Sequence, residues 1–275
     1  MNPIQEDIAH WQQWVGKTEE ISERIEPLVL RRYGAALGEP YEEGGPLPSL
    51  AHWAFFIAAE QPGNLGPDGH PKRGGFLPPI SLPRRMFAAS DMRFHAPLVA
   101  GRDATRQSRV ASLTAKSGKS GALILVEVEH RVTQDERPCI AETQTIVYRD
   151  MGGATPPVVD KGLPIPAQAL SWVPDAVDLF RFSAVTFNSH RIHYDLPYAR
   201  EKEGYPGLVV HGPFTAARLF GFVRERHGAP ARFQFRAQAP LFAGQPIMLR
   251  DGDQPGQAVA SRCDGSDAMV AQFEI

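Results

Sequence analysis

The string FHAPLVAG spans residues 94–101, and the related string FRAQAPLFAG spans residues 235–244. Their common pattern APLxAG begins at Ala96 and again at Ala239, a spacing of 143 residues in a chain of 275. A segment with strand-like composition follows each copy. Self-similarity at one fixed spacing is typical of a duplicated architecture, so the pattern predicts two related halves of roughly 140 residues each.

A Gly- and Pro-rich stretch, MGGATPPVVDKGLPIP at 151–166, lies between the two halves. Clusters of these residues interrupt regular structure. We therefore predict an N-terminal domain over 1–150, a linker over 151–166 and a C-terminal domain over 167–275. Similar stretches at 38–50 and 61–79 predict loops.

In the first half, the pattern predicts helices followed by antiparallel strands. IEPLVLRRYGAALG predicts a short helix that ends at Gly38, and LAHWAFFIAA predicts a second helix over 50–59. Alternating apolar and polar residues predict strands over 106–116, 122–133 and 136–150. The string SGKSG at 117–121 predicts the hairpin turn between the first two strands.

The second half repeats this order. FRFSAVTF at 180–187 predicts a strand, and GPFTAARLFGFVRERHG at 212–228 predicts a buried helix. Pro213 in its first turn and Gly228 past its end fit the usual helix boundaries. The strings ARFQFRAQ, QPIMLRD, AVASRCD and MVAQFEI predict four further strands. Helices followed by an antiparallel sheet in each half indicate the α+β class.

Composition excludes several classes of protein. Hydrophobic residues make up 43% and charged residues 22%, as in ordinary globular proteins. The net charge of −2 gives no basic field for a nucleic-acid partner. Cys139 and Cys263 lie far apart without a CxxC pattern, which disfavours disulfides and thiolate zinc sites and favours a reducing compartment.

The ends and apolar runs of the chain predict neither secretion nor a membrane partner. MNPIQEDIAHWQQWVGK lacks the basic start and apolar core of a signal peptide. No apolar run approaches the roughly 18 residues that a membrane helix needs. We therefore expect a cytoplasmic protein.

A polar cluster, FNSHRIHYD at 187–195, is followed by His211, Gly212 and Pro213 at the start of the predicted helix. Buried polar groups without partners cost a few kcal/mol each, so such a cluster beside apolar segments indicates a functional site. A solvated surface loop is the alternative. A metal site built from His190, His193, His211 and Asp195 is disfavoured, because HxxH does not have the usual i,i+4 spacing; we predict no metal.

Two basic clusters, HPKRGG at 70–75 and PRRMF at 83–87, could bind an anionic substrate or lie in solvated loops. Adjacent arginines can hold a phosphate or carboxylate through paired hydrogen bonds. The string SGKSG does not complete a phosphate-binding P-loop, because Leu113 stands where that motif requires glycine.

At the polar cluster the chain resembles the MaoC-like, (R)-specific enoyl-CoA hydratase superfamily. The motif of that superfamily is Asp-x-Asn-Pro-x-His, followed by a His-Gly step that opens a central helix. In this sequence Asn188 takes the place of Asp, His190 that of Asn, Arg191 that of Pro, and His193 that of the catalytic His. The His-Gly step is His211–Gly212. The substitution by Asn188 removes a group that could carry a proton.

The resemblance extends over the whole chain. The segments FNSHRIHYD, GLVVHGPF, GFLPP and PRRM are typical of the branch that contains itaconyl-CoA and mesaconyl-C4-CoA hydratases and type 2 hydroxyacyl-thioester dehydratases. This resemblance implies a double hot-dog fold, in which each half wraps an antiparallel sheet around a long helix and only the second half is catalytic. It also implies an acyl-CoA thioester substrate, no cofactor apart from that CoA, and a homodimer.

The implied activity is hydration of an α,β-unsaturated acyl-CoA, with itaconyl-CoA or mesaconyl-C4-CoA converted to citramalyl-CoA. A 3-hydroxyacyl-thioester dehydratase of fatty-acid metabolism, a thioesterase and a non-catalytic acyl-CoA-binding module are the alternatives. We predict that His193 performs both proton transfers, Asn188 orients the water, and the Gly212 N–H stabilises the enolate oxygen. The predicted substrate-binding residues are Arg84, Arg85, Arg191 and His211.

Overall fold

The computed structural model describes residues 3–118 and 121–275. Ten strands form one continuous sheet in the order β1-β3-β4-β5-β2-β7-β10-β9-β8-β6, with every neighbouring pair antiparallel. The strands are β1 (Thr18–Arg24), β2 (Arg84–Phe94), β3 (Asp103–Gly118), β4 (Gly121–Gln134), β5 (Arg137–Arg149), β6 (Leu170–Trp172), β7 (Arg232–Ala237), β8 (Ile247–Asp251), β9 (Gln257–Arg262) and β10 (Asp267–Glu274).

The strand order is the same in both halves. The first half runs β1-β3-β4-β5-β2, and the second runs β6-β8-β9-β10-β7. The two APLxAG strings occupy equivalent places, directly after β2 and β7, and Gly101 and Gly244 at their ends share a φ of 78°. The predicted α+β, double hot-dog class is confirmed, while the exact domain limits at 150 and 166 stay predictions.

Strands β2 and β7 join the halves. Ala89 pairs with Arg236 and Arg93 pairs with Arg232 across this junction. The Arg232 guanidinium also donates to both oxygens of Asp91, at 2.9 and 2.7 Å. The junction is therefore a backbone ladder reinforced by a bidentate ion pair.

The described residues form five α-helices: α1 (Pro3–Trp11), α2 (Pro27–Leu37), α3 (Ala176–Val185), α4 (Leu196–Glu201) and α5 (Gly212–His227). Helix α5 contacts β2 and β7–β10 of the sheet, and α2 packs against α3 and α5. The predictions for α2 and α5 are confirmed, including Pro213 in the first turn and Gly228 as the C-cap of α5. Eight side chains of α5 are buried, so α5 is the central helix of the second half. No helix in the described ranges is long and apolar enough to cross a membrane.

Four 3₁₀ helices complete the helical elements of the described residues. They are Gln12–Trp14, Ala51–Ala54, Pro62–Asn64 and Arg191–His193. The predicted helix over 50–59 is thus only one short turn. It ends where Phe55 takes an extended backbone conformation, with φ of −123° and ψ of 169°. Phe56 follows with a left-handed φ of 58°, and its N–H donates to the Glu23 carboxylate at 2.6 Å. The longest helix in the described part of the first half is α2, with 11 residues, so the long helix that the resemblance implies for this half is absent from those residues.

The predicted strand over 180–187 is also wrong, because most of that segment belongs to α3. Asp175 caps this helix by accepting from the N–H groups of Val177 and Asp178, and the Asp178 carboxylate accepts from the Asp175 N–H. This capping box starts a helix, and it buries Leu179 and Phe182 on one face. The strand-like composition of FRFSAVTF comes from its aromatic and β-branched residues, which the capping box overrides.

The strand predictions over 106–116, 122–133 and 136–150 and for the four C-terminal strands are confirmed by β3–β5 and β7–β10. Gly118 pairs with Gly121 where β3 and β4 meet. The middle of the predicted turn, Lys119 and Ser120, lies outside the described residues. Strands β1, β2 and β6 were not predicted; β2 begins at Arg84, so the second basic cluster lies on a strand and not in a loop.

Candidate active site

A cavity of about 390 Å³ lies beside the β2–β7 junction, and both halves contribute to its wall. The first half contributes side chains from β2, from the end of β5 and from the loop that precedes β2. The second half contributes the polar cluster, the start of α5 and the second APLxAG string. The wall includes His70, Arg84, Arg85, Arg149, Asn188, His190, His193 and Gly212.

His193 ends the 3₁₀ helix Arg191–His193 and is 6% exposed. Its Nδ1 atom lies 2.7 Å from the Val209 carbonyl oxygen. A carbonyl can only accept, so Nδ1 carries the proton and Nε2 is left as a base. Burial, opposed by this hydrogen bond, lowers the pKa of His193 to about 4. The ring is therefore a neutral, oriented imidazole at pH 7.

His211 lies behind His193 and does not line the cavity. The two rings stack with centroids 3.5 Å apart, and His211 Nε2 is 2.8 Å from the Ser183 hydroxyl. Burial, followed by the nearby His193, lowers the pKa of His211 well below its usual value. His211 thus packs against the His193 ring from the side away from the cavity, and its predicted contact with substrate stays a prediction.

Asn188 reaches the cavity from the turn that follows α3. Phe187 has a φ of 49°, which reverses the chain, and the Asn188 N–H donates to the Ser183 carbonyl at 2.8 Å. The Asn188 Oδ1 atom accepts from the His190 N–H at 3.0 Å. This internal bond fixes the side chain and leaves its NH₂ group as a donor to the cavity.

Gly212 is the first residue of α5 and lines the cavity. The first N–H groups of a helix have no partner within the helix and carry its positive dipole end. Within residues 3–118 and 121–275, no acceptor is hydrogen-bonded to the Gly212 N–H. It is therefore available to a developing negative charge on a bound ligand.

The predicted arginines have different environments. Arg84 is 4% exposed and its Nε donates to Glu203 at 3.2 Å, so its charge is already compensated. Arg191 donates to Asp195 at 3.0 and 2.7 Å and lies outside the cavity wall. Arg85 does line the cavity and forms no ion pair with a carboxylate of the described residues.

Two residues on the wall were missed at the sequence level. Arg149 ends β5, pairs with Arg84 across the sheet and also forms no ion pair within the part of the chain that the structure describes. His70 was noticed only as part of a basic cluster. Its neighbours Lys72 and Arg73 donate to backbone carbonyls within that loop, so they hold the loop in shape.

The residues weighed as a metal site do not converge. Asp195 is paired with Arg191, and His193 donates to Val209. A different trio, Asp68, His70 and His190, has nitrogen and oxygen atoms within 4.8 Å of one another. Within it, His70 Nδ1 is hydrogen-bonded to Asp68 Oδ2 at 3.0 Å, and the His70 and His190 rings face each other at 4.0 Å. These three side chains contact one another.

Residues 50–243 match the family model described as hydroxyacyl-thioester dehydratase type 2. The chain belongs to this family. Over 97% of its length it is 44% identical to 98% of the mesaconyl-C(4)-CoA hydratase of Chloroflexus aurantiacus. Over 72% of its length it is 27% identical to 75% of the mitochondrial hydroxyacyl-thioester dehydratase type 2 of Schizosaccharomyces pombe.

A solved structure supports the same assignment of fold. A Mycobacterium tuberculosis protein with a double hotdog fold superposes with a TM-score of 0.57 at 11% identity, covering 94% of this chain and 95% of that one. The resemblance noted from the polar cluster is confirmed. Hydratase and dehydratase name the two directions of one reaction type, so this family member is a hydro-lyase.

Proposed function

We propose that the protein hydrates the double bond of an α,β-unsaturated acyl-CoA, converting itaconyl-CoA or mesaconyl-C4-CoA to citramalyl-CoA. The observation that carries this proposal is that an imidazole with a free Nε2, His193, and an unengaged helix N–H, Gly212, line the same cavity. Hydration of a conjugated thioester needs a base for water and a donor for the thioester oxygen.

In this mechanism the thioester oxygen accepts from the Gly212 N–H, which draws electrons away from the β-carbon. Water, held by the Asn188 side chain, attacks the β-carbon while its proton passes to His193 Nε2. The enolate that forms is stabilised by the α5 N-terminus, an interaction of about 3 kcal/mol for a donor of this kind. A proton, returned from His193 Nε2 or supplied by a second acid, then adds to the α-carbon and completes the hydration.

Two uncompensated cations support a dicarboxylyl substrate. Arg85 and Arg149 line the cavity without a carboxylate partner among the described residues. A partly buried cation is costly unless an anion reaches it. The free carboxylate of itaconyl-CoA or mesaconyl-C4-CoA would supply that anion, and the 44% identity to a mesaconyl-C(4)-CoA hydratase supports the same choice.

The second candidate is a 3-hydroxyacyl-thioester dehydratase of fatty-acid metabolism. It is favoured by the match to the type 2 dehydratase of Schizosaccharomyces pombe and by apolar wall residues such as Met86, Leu241 and Met269. That reaction would use the same His193 and Gly212 in the reverse direction with a longer apolar acyl chain.

The test compares substrates and two arginine variants. The wild type is incubated with itaconyl-CoA, mesaconyl-C4-CoA and crotonyl-CoA, and a gain of 18 Da is followed by mass spectrometry. Arg85→Gln and Arg149→Gln should raise KM about tenfold to a hundredfold for the dicarboxylyl esters, the loss expected for a charge-assisted hydrogen bond, and leave crotonyl-CoA unaffected. The control is Arg93→Gln, because Arg93 lies on β2 like Arg85 but is exposed and does not line the cavity.

Each alternative has its own result. Equal losses on all three esters would assign the arginines to CoA, and a preference for crotonyl-CoA would favour the dehydratase. Release of free thiol would indicate a thioesterase, and binding without turnover a non-catalytic module. The proposal further includes a place in itaconate degradation, a cytoplasmic location, a homodimer, and no cofactor beyond the CoA of the substrate.

A further inference from the structure

The loop that precedes β2 is fastened directly onto the polar cluster of the second half. The Arg191 N–H donates to the Asp68 carbonyl at 2.9 Å, and the Ser189 hydroxyl donates to the Gly69 carbonyl at 2.5 Å. Gly69 has a φ of 88°, and a Cβ there would overlap the Ser189 carbonyl oxygen. The approach is so close that only glycine fits, so the position of this loop relative to the cavity is fixed.

Within this loop, Asp68 orients His70. One carboxylate oxygen accepts from the His70 backbone N–H at 3.1 Å, and the other accepts from His70 Nδ1 at 3.0 Å. The carboxylate has no proton to give, so Nδ1 is protonated and Nε2 is the free nitrogen. Burial alone would raise the pKa of Asp68, but its hydrogen bonds with His70 and the charge of that ring bring it well below the usual value.

His70 belongs to a row of histidines that ends behind the catalytic ring. Its centroid is 4.0 Å from that of His190, which is 5.4 Å from that of His193. His70, His190 and His193 all line the cavity. Of the four rings in the row, including His211, His70 has the carboxylate partner. Burial lowers the pKa of His70 below its usual value, and the hydrogen bond and charge of Asp68 oppose that shift. The pKa of His190 falls to about 2 and that of His193 to about 4, so a proton in this row is most stable on His70.

The proton that adds to the α-carbon needs a donor, and Asn188 has none to give. After the attack His193 holds the water proton on Nε2 while Nδ1 stays bonded to Val209, and returning that proton would make His193 the donor, as the sequence predicts. A second acid beside the cavity would place the two transfers on separate rings. We propose that His70, held by Asp68, is the second acid–base residue of this site and delivers that proton. This inference rests on the proposed function.

The water O–H bond breaks, its oxygen bonds to the β-carbon, its proton moves to His193 Nε2, and the π electrons move to the thioester oxygen. The enolate then takes the proton from Nε2 of the His70 imidazolium, forming the α-carbon C–H bond and leaving neutral His70. The proton on His193 returns to His70 through the cavity, past His190, before the next turnover. Bases and acids of this kind each contribute about 10² to 10⁴ in rate.

The test uses His70→Gln and Asp68→Asn in the full-length protein, with His95→Gln, an exposed histidine, as the matched control. His70→Gln should lower kcat about 10²- to 10⁴-fold and leave KM nearly unchanged, because the loss is confined to the transition state. Circular dichroism and Tm show whether each variant is folded.

A pH profile separates proton donation from a purely structural role. The charged or titratable groups that face His70 are Asp68, Arg73 and Arg85, together with the His190 and His193 rings. Asp68→Asn removes the one negative group, so the alkaline limb of kcat should move about one to two pH units lower. An unmoved limb in a folded Asp68→Asn variant would overturn the proposal.

Other outcomes are equally decisive. A raised KM at constant kcat in His70→Gln would make His70 a binding residue, and a chelator-sensitive wild-type rate would assign the trio to an ion; both overturn the inference. If the wild type hydrates enoyl-CoAs and His70→Gln does so at the same rate, only this inference fails. If the wild type hydrates none of them, the proposed function itself fails.

Discussion

The Nδ1 atom of His193 lies 2.7 Å from the carbonyl oxygen of Val209. A second hydrogen bond connects the same two segments, because the Val209 N–H donates to the carbonyl of Ile192 at 3.0 Å. The polar cluster and the segment before α5 are thus joined in both directions. This joint fixes the tautomer of His193 and aims its basic nitrogen at the cavity.

The pH dependence of hydration should show this environment. Burial lowers the pKa of His193 to about 4, so the neutral base persists as pH falls and is lost only near that value. We expect the acid limb of kcat/KM near pH 4, well below the value of about 6.5 for a free histidine. Initial rates over pH 3.5–8 would measure it, with circular dichroism as the check that the protein stays folded. An acid limb near 6.5 would contradict the assignment of His193 as the base. A His193→Ala variant that keeps most of its activity would contradict it as well.

Asn188→Asp should keep activity within about tenfold of the wild type, because a carboxylate oxygen can still accept from the His190 N–H and the other can hold water. Asn188→Leu has a similar volume but no polar atoms, and should lose about a hundredfold. Steady-state kcat for both variants, with Tm as the folding control, measures the difference. Equal activity of the Asp and Leu variants would show that Asn188 does not orient the water.

Gly212→Ala should separate activity from stability. The nearest atom to an added Cβ is the Phe87 carbonyl oxygen at 3.5 Å, an ordinary contact, so the fold has room for the methyl group. That methyl would stand beside the N–H that we assign to the thioester oxygen, and kcat should fall about tenfold to a hundredfold. Gly63→Ala, where a Cβ meets nothing within 4 Å, is the control. A fully active Gly212→Ala would exclude this N–H from the mechanism.

Stability at low pH should depend on Glu142, a buried carboxylate on β5. It accepts from Ser90 at 2.7 Å and Trp53 at 3.2 Å, and lies 3.2 Å from His52 Nε2. Burial would raise the pKa of Glu142, but the hydrogen bond and charge of His52, the charge of His130 and the hydrogen bond from Ser90 lower it to about 2. Its contribution is therefore present above about pH 4.5 and is lost as pH falls toward 2.

Glu142→Gln should cost about 3 kcal/mol of unfolding free energy at pH 7 and flatten the decline between pH 5 and 2. Denaturant unfolding at pH 7 and pH 3 provides the measurement. Glu129→Gln, whose partner Arg109 is exposed, should change stability by less than about 1 kcal/mol. If both variants behaved alike, the buried network would not be a source of stability.

Local sequence patterns predicted the duplication, the central helix of the second half and three residues of the candidate site. The APLxAG spacing predicted the duplication, and Pro213 with Gly228 predicted α5. The residues His193, Asn188 and Gly212, singled out by motif, line one cavity. Composition gave a wrong prediction at α3. Its aromatic and β-branched residues are typical of a strand, but the capping box of Asp175 and Asp178 starts a helix.

His70 and Arg149 could not be found in this way. The hydrogen bond between Ser189 and Gly69 joins residues 120 positions apart, and a Gly- and Pro-rich loop has no periodicity that reveals its partner. Arg149 reaches the cavity only because β5 pairs with β2. Contacts of this kind depend on strand register and loop docking, which local sequence patterns do not encode.

The ladder between β2 and β7 also limits how the chain can be divided. Cutting after residue 166 would strip the second half of the strand that covers β7, exposing a row of unsatisfied N–H and C=O groups beside Phe233 and Phe235. Such an edge recruits other strands. The C-terminal half produced by itself should therefore self-associate or precipitate. The half that carries the motif would then be insoluble, and it could not serve as a smaller version of this enzyme.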